Sequence, residues 1–243
     1  MRALDISHSS PGNPIHLVRF RSELFNTMYS STSLPEEALS VSWLRERYLA
    51  LHAQYIGQVV PEPLLNLHTL ACSLEYNQTV CFLFQPLLLH ALRFTHGQDA
   101  PAVQLVVAAD SYCAALELIR TYDNIVRGVR SSILGRYPIT ILSAHHIWTA
   151  TATLVAHAAL ALTGRVKVLT KLSDDRSGDV GGIEAMGEEA TLDLSTFIDV
   201  SGTCSILLHW CAERWPRMLG LLDVYDGLMR RLTRELIVKG LAT

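Results

Sequence analysis

Apolar residues recur three or four positions apart along almost the whole chain, and this spacing restricts the fold more than any other feature. In the first such stretch the recurring residues are Leu17, Phe20, Leu24 and Met28. This spacing places side chains on one face of a helix, whereas a half-buried strand needs strict alternation. Only residues 166–169 alternate like a strand, and they are too few to build a sheet. The pattern predicts an all-α fold, a single irregular bundle of about seven helices.

Local composition divides the chain into three kinds of segment. Residues 1–12 are rich in Ser, Pro and Gly, which predicts a loose lead-in. Residues 13–243 carry the helical pattern and are expected to form one helical domain. Within that domain, residues 173–187 are polar and rich in glycine, and they predict one long loop that is either mobile or a lid.

Prolines mark two of the predicted helices. Asn13 followed by Pro14 is typical of a helix start, because Asn caps free backbone amides and proline suits the first turn. Pro86 lies inside a long apolar stretch from about residue 64 to residue 94. Its missing amide hydrogen predicts a kink or a π-type irregularity at that point.

Composition narrows the classes of function. Hydrophobic residues make up 49% and charged residues 18%, so little of the chain can stay solvated and disordered. Lys and Arg number 20 against 23 Asp and Glu, and this balance argues against direct binding to nucleic-acid phosphates. No apolar run approaches the roughly 20 residues of a membrane span, and residues 1–14 hold no run typical of a signal peptide. We therefore expect an intracellular, cytoplasmic protein without membrane contact.

The cysteines favour a reduced protein. Their number is odd, and no two of them have the CxxC spacing of a redox or zinc motif. Most lie inside apolar helical patterns, so we expect them to be buried thiols that act as small hydrophobic side chains. The five are Cys72, Cys81, Cys113, Cys204 and Cys211.

Three segments follow one another in an order and spacing that is more specific than any one of them alone. They contain, in turn, Leu74, Tyr76, Phe82 and Gln85-Pro86; Cys113-Ala114-Ala115; and Trp215-Pro216. Together they resemble the later part of the middle homology region, the fungal-specific transcription factor domain, of fungal binuclear-zinc-cluster regulators. The sequence departs from that pattern at Gln85, where the family usually has arginine. It also contains neither the six-cysteine DNA-binding module nor the earlier helical half of the domain.

The resemblance implies an α-helical fold packed around an apolar interior cavity. In some regulators of this kind the domain binds small effectors. The resemblance implies no catalytic residues, so candidate residues have to come from the chemistry of the side chains themselves.

One predicted helix carries an unusual density of polar residues among Ala, Ile, Leu and Val. His145 and His146 begin the set, Trp148 and Thr149 follow, and the polar residues continue to His157. They would form a polar stripe that faces a ligand cavity. Alternatively they are satisfied core side chains, with the threonine hydroxyls bonded to the preceding helical turn. We place His145 and His146 among the catalytic candidates, and Trp148 and Thr149 among the substrate-binding ones.

Four further candidates lie on two other predicted helices. Asp110 and Tyr112 are surrounded in sequence by Leu, Val and Ala. A carboxylate in that setting must be paired, exposed or raised in pKa, and we expect exposure on the outer face. Tyr76 and Asp110 complete the catalytic candidates, and Tyr112 and Phe82 complete the substrate-binding ones.

Familiar cofactor and nucleophile motifs are missing from the sequence. His68, Cys72 and Glu75 have helical spacing but no second ligand pair, so we expect no metal. Ser201 lacks the GxSxG elbow of a hydrolase, and the glycines at 178–187 follow no predicted strand. We expect no cofactor.

Two functions from different classes remain. The first is a helical pocket that binds an apolar metabolite of terpenoid or polyketide type and promotes a cofactor-independent cyclisation, such as an intramolecular [4+2] cycloaddition, or an isomerisation. The second is an effector-sensing transcriptional regulator or co-regulator, nuclear rather than cytoplasmic, which lacks its own DNA-binding module. The expected partners are an apolar small molecule and either a second copy of the chain or a DNA-bound regulator.

Overall fold

A computed structural model describes residues 14–29, 41–56, 67–93, 108–128, 136–162 and 194–240. Those ranges contain seven α-helices and no strand, which confirms the predicted all-α bundle. The helices are α1 (Pro14–Tyr29), α2 (Val41–Ile56), α3 (Leu67–Arg93), α4 (Ala108–Val126), α5 (Ile141–Leu162), α6 (Leu194–Arg214) and α7 (Leu219–Gly240). The predicted lead-in at 1–12, the strand-like residues 166–169 and the polar loop at 173–187 lie outside the described residues.

Prolines lie at the start of α1, inside α3 and just before α7. α1 begins at Pro14, the expected first-turn position. α3 continues through Pro86 as an α-helix without a π-type turn. Before α7, Trp215 is extended (φ −130°, ψ 93°) and a 3-10 turn covers Pro216–Met218. Because Pro216 has no amide hydrogen to continue α6, the chain turns there and α7 packs back on the bundle.

Three helices form the centre of the bundle. α3, α4 and α5 pack on one another, α1 and α2 pack on α3, and α6 and α7 pack on α5. α5 packs against four other helices, α3, α4, α6 and α7, and 14 of its 22 residues are buried. Ala144, Ala150 and Ala158 are among them and let the neighbouring helices approach closely. With so little of α5 facing solvent, most of its polar side chains have to lie inside the protein.

The described core is contiguous, and its largest fully buried side chains include Phe84, Tyr122 and Ile147. The interior cavity that the resemblance implies stays a prediction. Four of the five cysteines are buried free thiols, as predicted, and Cys113 is exposed. No helix within the described ranges is long and apolar enough to cross a membrane.

Candidate functional site

A chain of polar contacts links four helices across the apolar core. Arg21 on α1 donates from Nη1 to Oε2 of Glu75 on α3 at 2.7 Å. The other carboxylate oxygen, Oε1, lies 3.7 Å from Nε2 of His146 on α5. Nδ1 of His146 is 2.9 Å from the hydroxyl of Tyr122 on α4. We call these residues, Arg21, Glu75, His146 and Tyr122, the four-helix polar chain.

The four-helix polar chain runs from a partly exposed rim to the interior. The side chains of Arg21 and Glu75 are 21% and 14% exposed, whereas that of His146 is only 2% exposed. Burial lowers the pKa of His146 to about 3, and the positive charges of Arg21 and His145 add to that effect. The imidazole of His146 is therefore neutral near pH 7.

The hydroxyl of Tyr122 helps to determine which nitrogen of His146 carries the proton. Burial raises the pKa of Tyr122 above its usual value, so the hydroxyl keeps its proton. When this hydroxyl donates to Nδ1, the proton of the neutral imidazole resides on Nε2. Nε2 is buried and has no hydrogen-bond partner, because the 3.7 Å to Glu75 exceeds hydrogen-bond length. The neutral imidazole then has an unused donor at Nε2.

A second contact between α3 and α5 lies one helical turn away. Gln78 donates from Nε2 to the Thr149 hydroxyl at 3.2 Å, and that hydroxyl donates to the backbone carbonyl of His145 at 3.0 Å. Because the Thr149 hydroxyl gives its only hydrogen to the carbonyl, it can only accept from Gln78. The side-chain nitrogen of Gln78, rather than its oxygen, therefore faces Thr149. Gln78 is 1% exposed, and its Oε1 has no hydrogen-bond partner. Glu75 and Gln78 are three residues apart on α3, and His146 and Thr149 are three residues apart on α5. The Glu75–His146 and Gln78–Thr149 contacts are therefore adjacent links between the two helices, which we call neighbouring rungs.

A third polar contact is buried deeper along α5. The Ser111 hydroxyl on α4 is 2.9 Å from Nε2 of His157, and the ring of Tyr112 meets the His157 ring edge-on at 5.5 Å. His157 is 0% exposed, and burial lowers its pKa to about 3. Its Nδ1 has no hydrogen-bond partner. This serine and histidine are closed off from solvent and differ in this respect from the four-helix polar chain.

A fourth set of polar contacts belongs to an aromatic cluster between α2, α3 and α4. Tyr48 donates to Oδ1 of Asp110 at 3.0 Å, and the Tyr76 hydroxyl is 2.9 Å from Nδ1 of His52. Tyr55 stacks on Tyr76 with ring centroids 4.0 Å apart. Burial raises the pKa of Tyr76 to about 12, so this phenol keeps its proton near neutral pH.

The expectation that Asp110 would be exposed is wrong. The residue is buried, with 8% of its surface accessible. The physical reason is the hydrogen bond from Tyr48, which lies 62 positions earlier and compensates part of the cost of burying the carboxylate.

The eight predicted site residues therefore fall in several places. His146 and Thr149 lie together on the two rungs between α3 and α5, whereas the His145 side chain is exposed. Trp148 and Phe82 are half-buried, and Phe82 stacks on Phe25 at 6.4 Å. Tyr76 and Asp110 belong to the aromatic cluster, and Tyr112 adjoins His157.

Sequence reasoning did not connect four residues with His146: Arg21, Glu75, Gln78 and Tyr122, of which Glu75 was weighed only as a metal ligand. One signal was available for Glu75, which is the only acidic residue of the 27-residue helix α3. An acid on so apolar a helix needs a partner inside the fold. The identity of that partner depends on which helices pack together. Within the described ranges no group of three or more His, Cys, Asp or Glu is placed to hold a metal ion.

Comparisons of the chain with protein-family models, with curated proteins and with solved structures find no match. The resemblance to fungal zinc-cluster regulators thus stays a prediction.

Proposed function

We propose that the chain binds an apolar small molecule of terpenoid or polyketide type between α3 and α5 and promotes its cofactor-independent cyclisation. The observation that carries the proposal is the pair of buried, unpartnered atoms on neighbouring rungs, Nε2 of His146 and Oε1 of Gln78. One is a donor and the other an acceptor. A carbonyl of the ligand would accept from His146, and a hydroxyl or N–H of the ligand would donate to Gln78.

Energetics support a ligand at this point. A buried polar atom without a partner costs about 1–3 kcal/mol, and a ligand that supplies both partners would recover that free energy on binding. The surrounding core is apolar, which suits a hydrocarbon skeleton better than a sugar or a nucleotide. The four-helix polar chain reaches the partly exposed rim at Arg21 and Glu75, and this rim is the natural side of entry.

The protonation state of His146 selects among reactions. An imidazole with a pKa near 3 is a weak base. Near pH 7 it is uncharged, so it does not act as an imidazolium acid either. It does not suit a step that removes a proton from carbon. It does suit a hydrogen bond from Nε2 to a carbonyl, which withdraws electron density without transferring the proton. An intramolecular [4+2] cycloaddition needs only this polarisation and a folded conformer of the substrate, so we favour it over an isomerisation.

The test is native mass spectrometry of the purified chain with a mixture of apolar terpenoids and polyketides, followed by incubation with each captured compound. We expect capture of a compound that carries a carbonyl, and faster formation of a product of the same mass. Gln78→Leu should weaken capture by about 10-fold, the effect of one lost hydrogen bond to a buried group. His146→Phe should abolish conversion more completely than capture.

The matched control is His145→Gln on the same helix. His145 precedes His146 but has an exposed side chain, so this variant should capture and convert as the unchanged chain does. Equal loss of conversion in His145→Gln and His146→Phe would contradict the role given to His146.

The second candidate is an effector-sensing regulator or co-regulator. It is favoured by exposed apolar residues on α7, among them Val224, Leu228, Ile237 and Val238, which suit a protein partner. The same buried pair would then hold an effector. Capture of a compound that is released unchanged would favour this function over the cyclase.

A further inference from the structure

The outward face of α7 combines apolar side chains with glycines that the fold itself does not need. Leu219, Ile237 and Val238 are each more than half exposed. Gly220 and Gly227 lie seven residues apart on one side of the helix, and a Cβ at either would meet nothing within 4 Å. Glycine in a helix interior destabilises it by about 0.5–1 kcal/mol relative to alanine. No contact within the described residues accounts for that cost, and glycine suits the close approach of another helix.

Most charged residues of α7 are arranged by sign along the helix, with the exposed Glu235 in the second half as the exception. Asp223 and Asp226 lie in the first half of α7, and Arg230, Arg231 and Arg234 lie in the second half. The three arginines are exposed, as is Asp223, and Asp226 is half-buried. A second α7 in the parallel direction would bring like charges together, and one in the antiparallel direction would bring opposite charges together.

An antiparallel register with its two-fold axis between Leu228 and Met229 matches both features. It places Asp223 opposite Arg234 of the second copy, and Asp226 opposite its Arg231. The same register places the apolar Leu219 opposite Val238 of the second copy. Each pair occurs twice because the contact is symmetric.

An open groove lies on the face that would receive the second copy. It has a volume of about 580 Å³ and lies along the C-terminal half of α7. The described residues that line it all belong to α7 and combine apolar side chains with charged ones: Asp226, Met229, Arg230, Thr233, Arg234, Ile237 and Val238. In the antiparallel arrangement the first half of the second copy's α7 would lie along this groove. Its acidic residues are complementary to Arg234, and its Leu219 is complementary to the apolar residues of the groove.

We infer that the chain forms a homodimer through antiparallel pairing of α7 with α7 of a second copy. The inference does not depend on the proposed ligand or reaction. The occupant of the face is a second copy because the helix is complementary to itself in one direction only. Apolar contacts and close glycine approach supply the affinity, and the ion pairs supply the register and direction.

The first test uses charge reversal and sedimentation velocity at concentrations from about 1 to 200 μM, a range suited to the micromolar affinities of small interfaces. The unchanged chain should pass from monomer to dimer. Asp223→Arg with Asp226→Arg makes all four paired positions basic, and Arg231→Asp with Arg234→Asp makes all four acidic. Each variant alone should dimerise at least about 100-fold more weakly, because like charges then face each other.

An equimolar mixture of the two charge-reversed chains should restore the dimer, since every pair is again of opposite sign. This rescue separates a lost interface from a misfolded chain. Leu49→Glu serves as the control, because Leu49 is exposed on α2 and the substitution should leave dimerisation unchanged.

The second test establishes direction by disulfide crosslinking in a Cys113→Ala background, which removes the exposed native thiol. A mixture of Leu219→Cys and Val238→Cys chains should crosslink under mild oxidation. Val238→Cys alone should not, because the two copies of position 238 would lie about 28 Å apart along the helix axis. Self-pairing of α7 is overturned if the unchanged chain stays monomeric, if the mixed charge variants fail to pair, or if Val238→Cys alone crosslinks as readily as the mixture.

Discussion

The two buried histidines of α5 should make the stability of the fold fall as the pH falls. Burial lowers the pKa of His146 and of His157 from 6.5 to about 3 in the folded chain. In the unfolded chain each imidazole takes up a proton near pH 6.5, whereas in the folded chain it stays neutral until about pH 3. The unfolded state therefore binds more protons throughout that window. Above pH 6.5 the two histidines do not reduce the free energy of unfolding. Below pH 6.5 that free energy falls progressively, because the unfolded chain takes up protons that the folded chain does not.

The size of the effect follows from the difference between the two pKa values. Each drop of one pH unit within this window lowers the free energy of unfolding by about 1.4 kcal/mol per histidine. At pH 5 the loss is about 2 kcal/mol for each histidine and about 4 kcal/mol for the pair. A typical domain has only about 5–15 kcal/mol of stability, so a loss of this size is readily measured.

The assay is urea unfolding followed by tryptophan fluorescence at about pH 7.5 and pH 5, with the change between the two pH values taken for each chain separately. The unchanged chain should lose about 2 kcal/mol more than His157→Leu, which retains only the contribution of His146. Carboxylates titrate alike in both chains and cancel in this comparison. His209→Gln, at an exposed position on α6, should behave like the unchanged chain. If His157→Leu loses as much stability as the unchanged chain between the two pH values, the assignment of a neutral, buried His157 is refuted.

Three further outcomes test other parts of the structure. Tyr122→Phe leaves Nδ1 of His146 buried without its partner, which should cost about 2 kcal/mol and lower Tm by roughly 4–8 °C. The same change in a His146→Leu background should cost little, and equal costs in both backgrounds would show that the two side chains are not coupled. Gly220→Ala and Gly227→Ala should each stabilise the dilute monomer by about 0.5–1 kcal/mol while weakening the dimer, and an unchanged monomer Tm would contradict the helical strain inferred there. Ellman's reagent should modify one thiol of the native chain, Cys113, and all five after unfolding, whereas rapid reaction of a second native thiol would contradict the burial of the other four.

Helices and their burial could be predicted because the information is local. The spacing of apolar residues predicts helices over most of the described ranges, and Pro14 marks the start of α1 since proline suits the first turn. The same spacing predicted buried cysteines, and four of the five are buried whereas Cys113 is exposed. α3 continues through Pro86 without the π-type turn that was one of the two expected irregularities, and the kink at Pro86 stays a prediction.

The site could be predicted only in part. The density of polar residues on α5 pointed to His146 and Thr149, and both are buried between helices. The same reasoning could not separate His146 from His145, because adjacent positions on a helix differ by about 100° in direction and packing decides which one is inside. Asp110 was expected outside and lies inside, since its hydrogen-bond donor, Tyr48, is remote in sequence.

By itself the sequence determined an all-α chain with a mostly apolar interior and a polar stripe on one helix, because periodicity and composition act over a few helical turns. Only the tertiary structure decided which polar groups meet. Arg21 and Glu75 are 54 positions apart, and Gln78 and Thr149 are 71 positions apart. Such pairs form because α3 packs against α1 and α5 at one relative rotation. The combined burial of many apolar side chains determines that rotation, so it cannot be predicted from any short stretch of sequence.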